Sequence, residues 1–125
     1  MVGILEKLKL DVEKALEEER KRKEAEELAY ENAIAAVIEQ IRKGTEDALA
    51  NTEVSEKIRW SQGKKDYLLI KIIISGAPKH SCMIEAMKRL EAEENSSCDD
   101  MEIKLETDSG NVNVRLYKKK VKEVD

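Results

Sequence analysis

Phenylalanine is absent from this chain of 125 residues, and its aromatics are Trp60, Tyr30, Tyr67 and Tyr117. Any core it builds is therefore aliphatic. Proline occurs once, at Pro78, and glycine five times, so nothing breaks a helix between Ile4 and Lys43. The same shortage excludes P-loop and dinucleotide fingerprints, which need several glycines at fixed spacing. No run approaches the roughly 20 apolar residues of a membrane span. The first residues lack a basic flank followed by an apolar run, and two cysteines read as free thiols of a reducing compartment. A cytoplasmic protein with no membrane partner is expected. Charge of one sign is also missing: 23 basic against 27 acidic residues leave a net charge of −4. That balance makes no electrostatic case for general attraction to nucleic acid or anionic lipid.

What is present is charge in quantity, 40% of residues, threaded by one apolar phase. At about 100° per residue, Leu5, Val12, Leu16, Tyr30, Ile34, Val37 and Ile41 fall within roughly 40° of one line, with Leu8 beside it. The spacing predicts one straight amphipathic helix from the N-terminus to Lys43, about 60 Å long at 1.5 Å per residue. Its charged middle, Glu17 to Glu27, offers Glu17–Lys21, Glu18–Arg22 and Glu19–Lys23 in the favourable i,i+4 order. Gly44 is the first natural stop, with Arg42 and Lys43 on the negative end of the dipole. A domain of this length has a radius of gyration of only about 14 Å. A helix this long overhangs it and needs a partner for its stripe. The chain thus divides into an oligomerisation helix, 1–43, and a small α+β domain with a polar tail, 44–125.

Within 44–125, Thr45 is placed to cap a short helix running to about Ala50. Val54, Ile58 and Trp60 share one face of a strand with Glu56 as the exception. A helix from Thr52 competes, but Ser61–Lys64 reads as a turn into the next segment, which favours the strand. Tyr67–Ser75 is the clearest strand. Leu68, Ile70, Ile72 and Ile74 form one apolar face, and Tyr67, Leu69 and Ile73 make the other mostly apolar around Lys71. Such a strand is expected to be central and covered on both faces. One cover is a helix from about Pro78 to Glu94 with Met83, Ile84, Met87 and Leu90 inward. The other is the far half of the first helix or a neighbouring subunit. A hairpin ends the fold: Met101, Ile103 and Leu105 alternate with charge, as do Val112, Val114 and Leu116 with polar residues, around the turn Asp108–Asn111. The expected order is α-β-β-α-β-β, a sheet of about four strands covered by a second helix.

Signs of chemistry are sparse. His80, Cys82 and Cys98 invite a zinc reading, but a helix over the intervening residues holds the thiols about 18 Å apart, against about 2.3 Å from each to one zinc. A disulfide fails for the same reason, which leaves only a site shared between subunits. Cys82 lies near a helix start but does not face His80 on a helix, so no catalytic dyad follows. Ser75, Gly76, Lys79, His80 and Ser81, joining strand to helix start, are the candidate anion site. Arg115, Tyr117, Lys118, Lys119 and Lys120 are the candidate nucleic-acid contacts, with Tyr117 as a stacking face; a solubilising edge is the favoured alternative. No metal, cofactor or catalytic residue is expected.

The leading expectation is a non-enzymatic structural or interaction protein acting as a homo-oligomer, with a further protein partner left open. The candidate interface is the stripe of Leu5, Leu8, Val12, Leu16, Tyr30, Ile34, Val37 and Ile41. Glu19, Lys23 and Glu26 interrupt it, so it is not a regular heptad coiled coil; a bundle with a polar mid-layer fits better. Nucleic-acid binding and anion binding are the alternatives. Short charged chains of this kind occur among viral and plasmid accessory proteins, an association without a mechanism.

Overall fold

The computed structural model describes residues 3–119. Its elements are α1 (Ile4–Asn51), α2 (Val54–Ser61), β1 (Tyr67–Ile73), α3 (His80–Ser97), β2 (Met101–Asp108) and β3 (Asn111–Lys118). The fold is α+β, with three strands rather than four. The described residues group into two compact units, one ending at Asn32 and one beginning at Ala33. Residues 33–43 therefore belong with the α+β unit rather than with the N-terminal segment.

In the first unit every described side chain is exposed. Helical structure there is supported locally. Arg20 bonds Glu17 and, at 2.6 Å, Glu24; Arg22 lies 2.5 Å from Glu19 and 3.1 Å from Glu26. These i,i+3 and i,i+4 forks differ from the expected Glu17–Lys21, Glu18–Arg22 and Glu19–Lys23 pairs, because a guanidinium reaches carboxylates on the turns before and after it at once.

The second unit closes on an aliphatic core. Ile34, Val37 and Ile41 of α1, Ile70 and Ile72 of β1, Met83, Ala86, Met87 and Leu90 of α3, Leu105 of β2 and Val112 and Val114 of β3 form one cluster. The sheet is antiparallel in the order β1-β3-β2. Register sets Ile70 beside Val114 and Val114 beside Leu105, so one face supplies the core. Tyr67, Leu69 and Ile73 lie on the opposite face and are exposed. The expected central strand is thus an edge strand covered on one face. In α3, Ile84 is exposed and Cys82 takes an inward position, because 82, 83, 86, 87 and 90 share the helical face.

Two local readings change for identifiable reasons. Gly44 does not stop α1. A Cβ there would lie 2.7 Å from Ile72 Cδ1, so this glycine serves close helix-to-sheet approach. The helix ends instead where Asn51 Nδ2 donates to the Asp47 carbonyl at 2.9 Å and Thr52 Oγ1 to the Ala48 carbonyl at 2.7 Å, which satisfies terminal acceptors. Residues 54–60, read as a strand, form α2. The Glu53 carbonyl accepts from Glu56 and Lys57 N–H, and helical spacing puts Val54 and Ile58 on one face and Glu56, the misfit of the strand reading, on the other, where it pairs with Lys65. The 108–111 turn is as expected: Ser109 (φ 50°) and Gly110 (φ 83°) are both left-handed, as a two-residue type I′ hairpin requires.

Candidate functional site

Two apolar surfaces stand out, one in each unit. In the first, Leu5, Leu8, Val12 and Leu16 are all exposed, Leu5 at 79%. Leu5, Leu8, Val12 and Ala15 follow the 3-4-3 spacing of a coiled-coil seam. The next two seam positions are Glu19 and Arg22, which bond each other, so the apolar seam ends there. Tyr30 is exposed as well, whereas Ile34, Val37 and Ile41 are at most 1% exposed. Those three residues are spent in the core of the second unit and cannot form an interface surface. Ile4 is exposed beside the stripe, whereas Leu10 is exposed on nearly the opposite face of the helix.

In the second unit an open cleft of about 650 Å³ lies among the end of α1, α2, the end of α3 and the hairpin. Leu49, Ile58, Trp60, Leu68, Met101 and Ile103 are among its walls, with Lys57, Glu94 and Glu102 as charged members. Lys118 Nζ stands 5.1 Å from the centre of the Trp60 ring and donates to the Ser61 carbonyl. Trp60 Nε1 is buried without an acceptor, an expensive arrangement for a polar group. The cleft escaped the sequence reading because it depends on α2 being a helix; Val54 and Ile58 at i and i+4 were the available signal.

The candidate anion residues do not converge. Ser75 is claimed by Gln40: its N–H and Oγ donate to Gln40 Oε1 at 2.8 and 3.0 Å, and its carbonyl accepts from Nε2 at 3.2 Å. Gly76 and Ala77 turn the chain at positive φ, and Lys79 caps α3 through its backbone with no side-chain bond. Lys79, His80 and Ser81 are exposed.

The candidate nucleic-acid residues are similarly engaged. Arg115 lies 2.5 Å from Glu106 and 5.6 Å from the Tyr67 ring. The Glu106 bond raises its guanidinium further above the ordinary arginine range, so it stays charged but not unattended. Tyr117 meets Tyr67 at 5.3 Å between ring centres and carries Lys104 Nζ at 5.0 Å. The Lys119 N–H donates to the Asp100 carbonyl. Lys120 lies outside the described residues.

Both cysteines are free thiols, Cys82 buried and Cys98 half-buried. Among the described residues no cluster of His, Cys, Asp or Glu is arranged to hold a metal ion, and no helix is long and apolar enough to cross a membrane. No protein-family model, curated protein or solved structure matches this chain.

Proposed function

We propose that this chain is a non-enzymatic assembly protein that associates with itself through the first turns of α1. The observation that carries the reading is the exposed apolar surface of Leu5, Leu8, Val12 and Leu16, the first three on the seam and Leu16 beside it. Burying one leucine contributes roughly 1.5–3 kcal/mol, so pairing this seam with a second copy gives a large incentive to associate. The seam's spacing favours a helix as the matching surface. Its limit at Glu19 and Arg22 restricts the contact to the N-terminal turns. Replacing Leu5, Leu8, Val12 and Leu16 by Gln keeps good helix formers at three positions and removes the apolar surface. Sedimentation equilibrium should then show a smaller particle than the parent chain at the same concentration. An unchanged mass, or a monomeric parent at tens of micromolar, refutes the reading.

The cleft beside Trp60 supports a second reading, binding of a compact apolar organic molecule. Its volume lies within the 300–1,000 Å³ range of ligand pockets, and its walls are mainly apolar. A fluorescent naphthalene sulfonate is a suitable probe, since Trp60 is the only tryptophan and reports occupancy directly. Saturable quenching lost in Ile58→Glu supports the reading; quenching unaffected by that change sinks it. Nucleic acid and free anions have less support as partners, because Arg115, Tyr117, Lys118 and Ser75 already have intramolecular partners.

A further inference from the structure

The sheet has two outer edges, and the fold treats them differently. Along β2, Asn95 of α3 grips Ile103 by accepting from its N–H at 2.7 Å and donating to its carbonyl at 3.1 Å. Glu91 accepts from the Leu105 N–H at 2.6 Å. This edge also carries Glu102, Lys104 and Glu106. Occupied backbone groups and alternating charge are how proteins keep an edge from pairing.

β1 is less protected, with Lys71 as its one edge charge. It pairs with β3 alone, and among the described residues no side chain bonds its backbone between 67 and 73. The nearest such contact, from Gln40, reaches Ser75 beyond the strand's end. Because Ile103 and Leu105 turn their backbone groups outward, antiparallel alternation turns those of Leu116 and Val114 toward β1. Leu68 and Ile70 receive them. The N–H and C=O groups of Tyr67, Leu69, Lys71 and Ile73 therefore face the free edge. A depression of about 540 Å³ touches four consecutive residues, Tyr67 to Ile70, with Glu56 and Lys65 on its far wall. Contact with consecutive residues means that it opens along the edge rather than over one face. The side chains deepen the contrast. Lys71 is the only charge in the strand, and Ile73 is 81% and Leu69 47% exposed. This is the composition of an interior strand in an edge position.

We propose that β1 pairs antiparallel with β1 of a second copy, joining two three-stranded sheets into one continuous sheet. Charge selects the register. Only residues facing the edge can exchange hydrogen bonds, so Tyr67, Leu69, Lys71 and Ile73 pair among themselves. A dyad at Lys71 would set two ammonium groups directly opposite, which is unfavourable. A dyad at Ile70 avoids this and overlaps the whole strand: Tyr67 meets the partner's Ile73, and Leu69 meets the partner's Lys71, whose stem lies along the leucine. This contact is independent of the helical seam.

The test uses the full chain with Leu5, Leu8, Val12 and Leu16 all changed to Gln, so that the seam is silent and only the sheet contact is read. Sedimentation equilibrium should show a dimer. Adding Leu69→Lys sets an ammonium opposite the partner's Lys71 twice, by symmetry, and should raise the dimer dissociation constant at least tenfold. Leu69 is on the open face, so circular dichroism should be unchanged. Adding Lys71→Glu as well turns both clashes into opposite-charge pairs and should return the constant to within a few-fold of its starting value. A monomer before Leu69→Lys is added, an affinity insensitive to it, or a loss that Lys71→Glu does not rescue would overturn the proposal. The seam reading stands or falls separately, on the mass difference between the parent and the Gln-substituted chain.

Discussion

One helix, α1, is held in two unlike ways. Before Ala33 every described side chain is exposed and the visible support is a set of arginine–carboxylate forks. From Ala33 onward Ile34, Val37 and Ile41 sit in a core shared with β1, β3 and α3. Apolar periodicity of the same phase runs through both parts, yet in one it makes an open seam and in the other a buried face. Periodicity reports that a face is apolar; it does not report what covers it. Tertiary packing supplies most helix stability in proteins, so the two parts should respond differently to the same kind of damage.

The largest contrast should come from deleting buried carbon. Ile41→Ala is expected to destabilise the second unit by about 2–5 kcal/mol, read as a lower urea midpoint with Trp60 emission as the probe. Leu8→Ala should leave that midpoint in place and weaken association. Equal shifts from both changes would erase the distinction. A proline comes next: Ala25→Pro costs about 3 kcal/mol or more in a helix interior. Because that segment is held locally, helicity should fall while the Trp60 transition stays where it was. A joint loss of both signals would mean that the two parts unfold together.

Gly44 sharpens the comparison at the contact itself. Gly44→Val forces a branched side chain against Ile72 and should cost about 1–3 kcal/mol. Gly44→Ala should cost less, since the gain in helix propensity, about 1 kcal/mol, offsets part of the contact with Ile72 Cδ1 and Cγ2. If Val is tolerated as well as Ala, the approach is looser than 2.7 Å implies. The smallest effect concerns pH. The bonded Arg20 guanidinium holds the Glu17 carboxyl below the usual carboxylate range. A depressed folded pKa gives stability that is present above the unfolded value and lost as pH falls through the folded one. Helicity of the parent and of Glu17→Gln, followed by circular dichroism, should therefore differ slightly at neutral pH and converge in acid. Curves that run parallel throughout would show that the fork contributes nothing.

The hairpin was legible because its signals are local. Alternating Ile103, Leu105, Val112 and Val114 and the Asp108–Asn111 turn need no distant residue to be read. Three other features were not. Gly44 has a stop residue's chemistry, but its neighbour in space is Ile72. Residues 54–60 fit two periods over too short a length for pattern to arbitrate. The Trp60 cleft exists only once α2, α3 and the hairpin surround it. The candidate anion and nucleic-acid groups were found as residue types; that Gln40, Glu106 and Tyr67 engage them depends on partners far along the chain or across a strand pair.

By itself the sequence determined the class of fold, the long helix, the hairpin and the aliphatic character of the core, since each follows from periodicity, turn chemistry or composition over neighbouring residues. Only the tertiary structure decided which apolar faces are satisfied. It buries Ile34, Val37 and Ile41, leaves Leu5, Leu8, Val12 and Leu16 open, and puts the strand with the most interior-like composition at an edge. The physical reason is that burial belongs to pairs of surfaces. A residue's hydrophobicity is written in its side chain, but whether water is excluded from it depends on what the rest of the chain brings alongside.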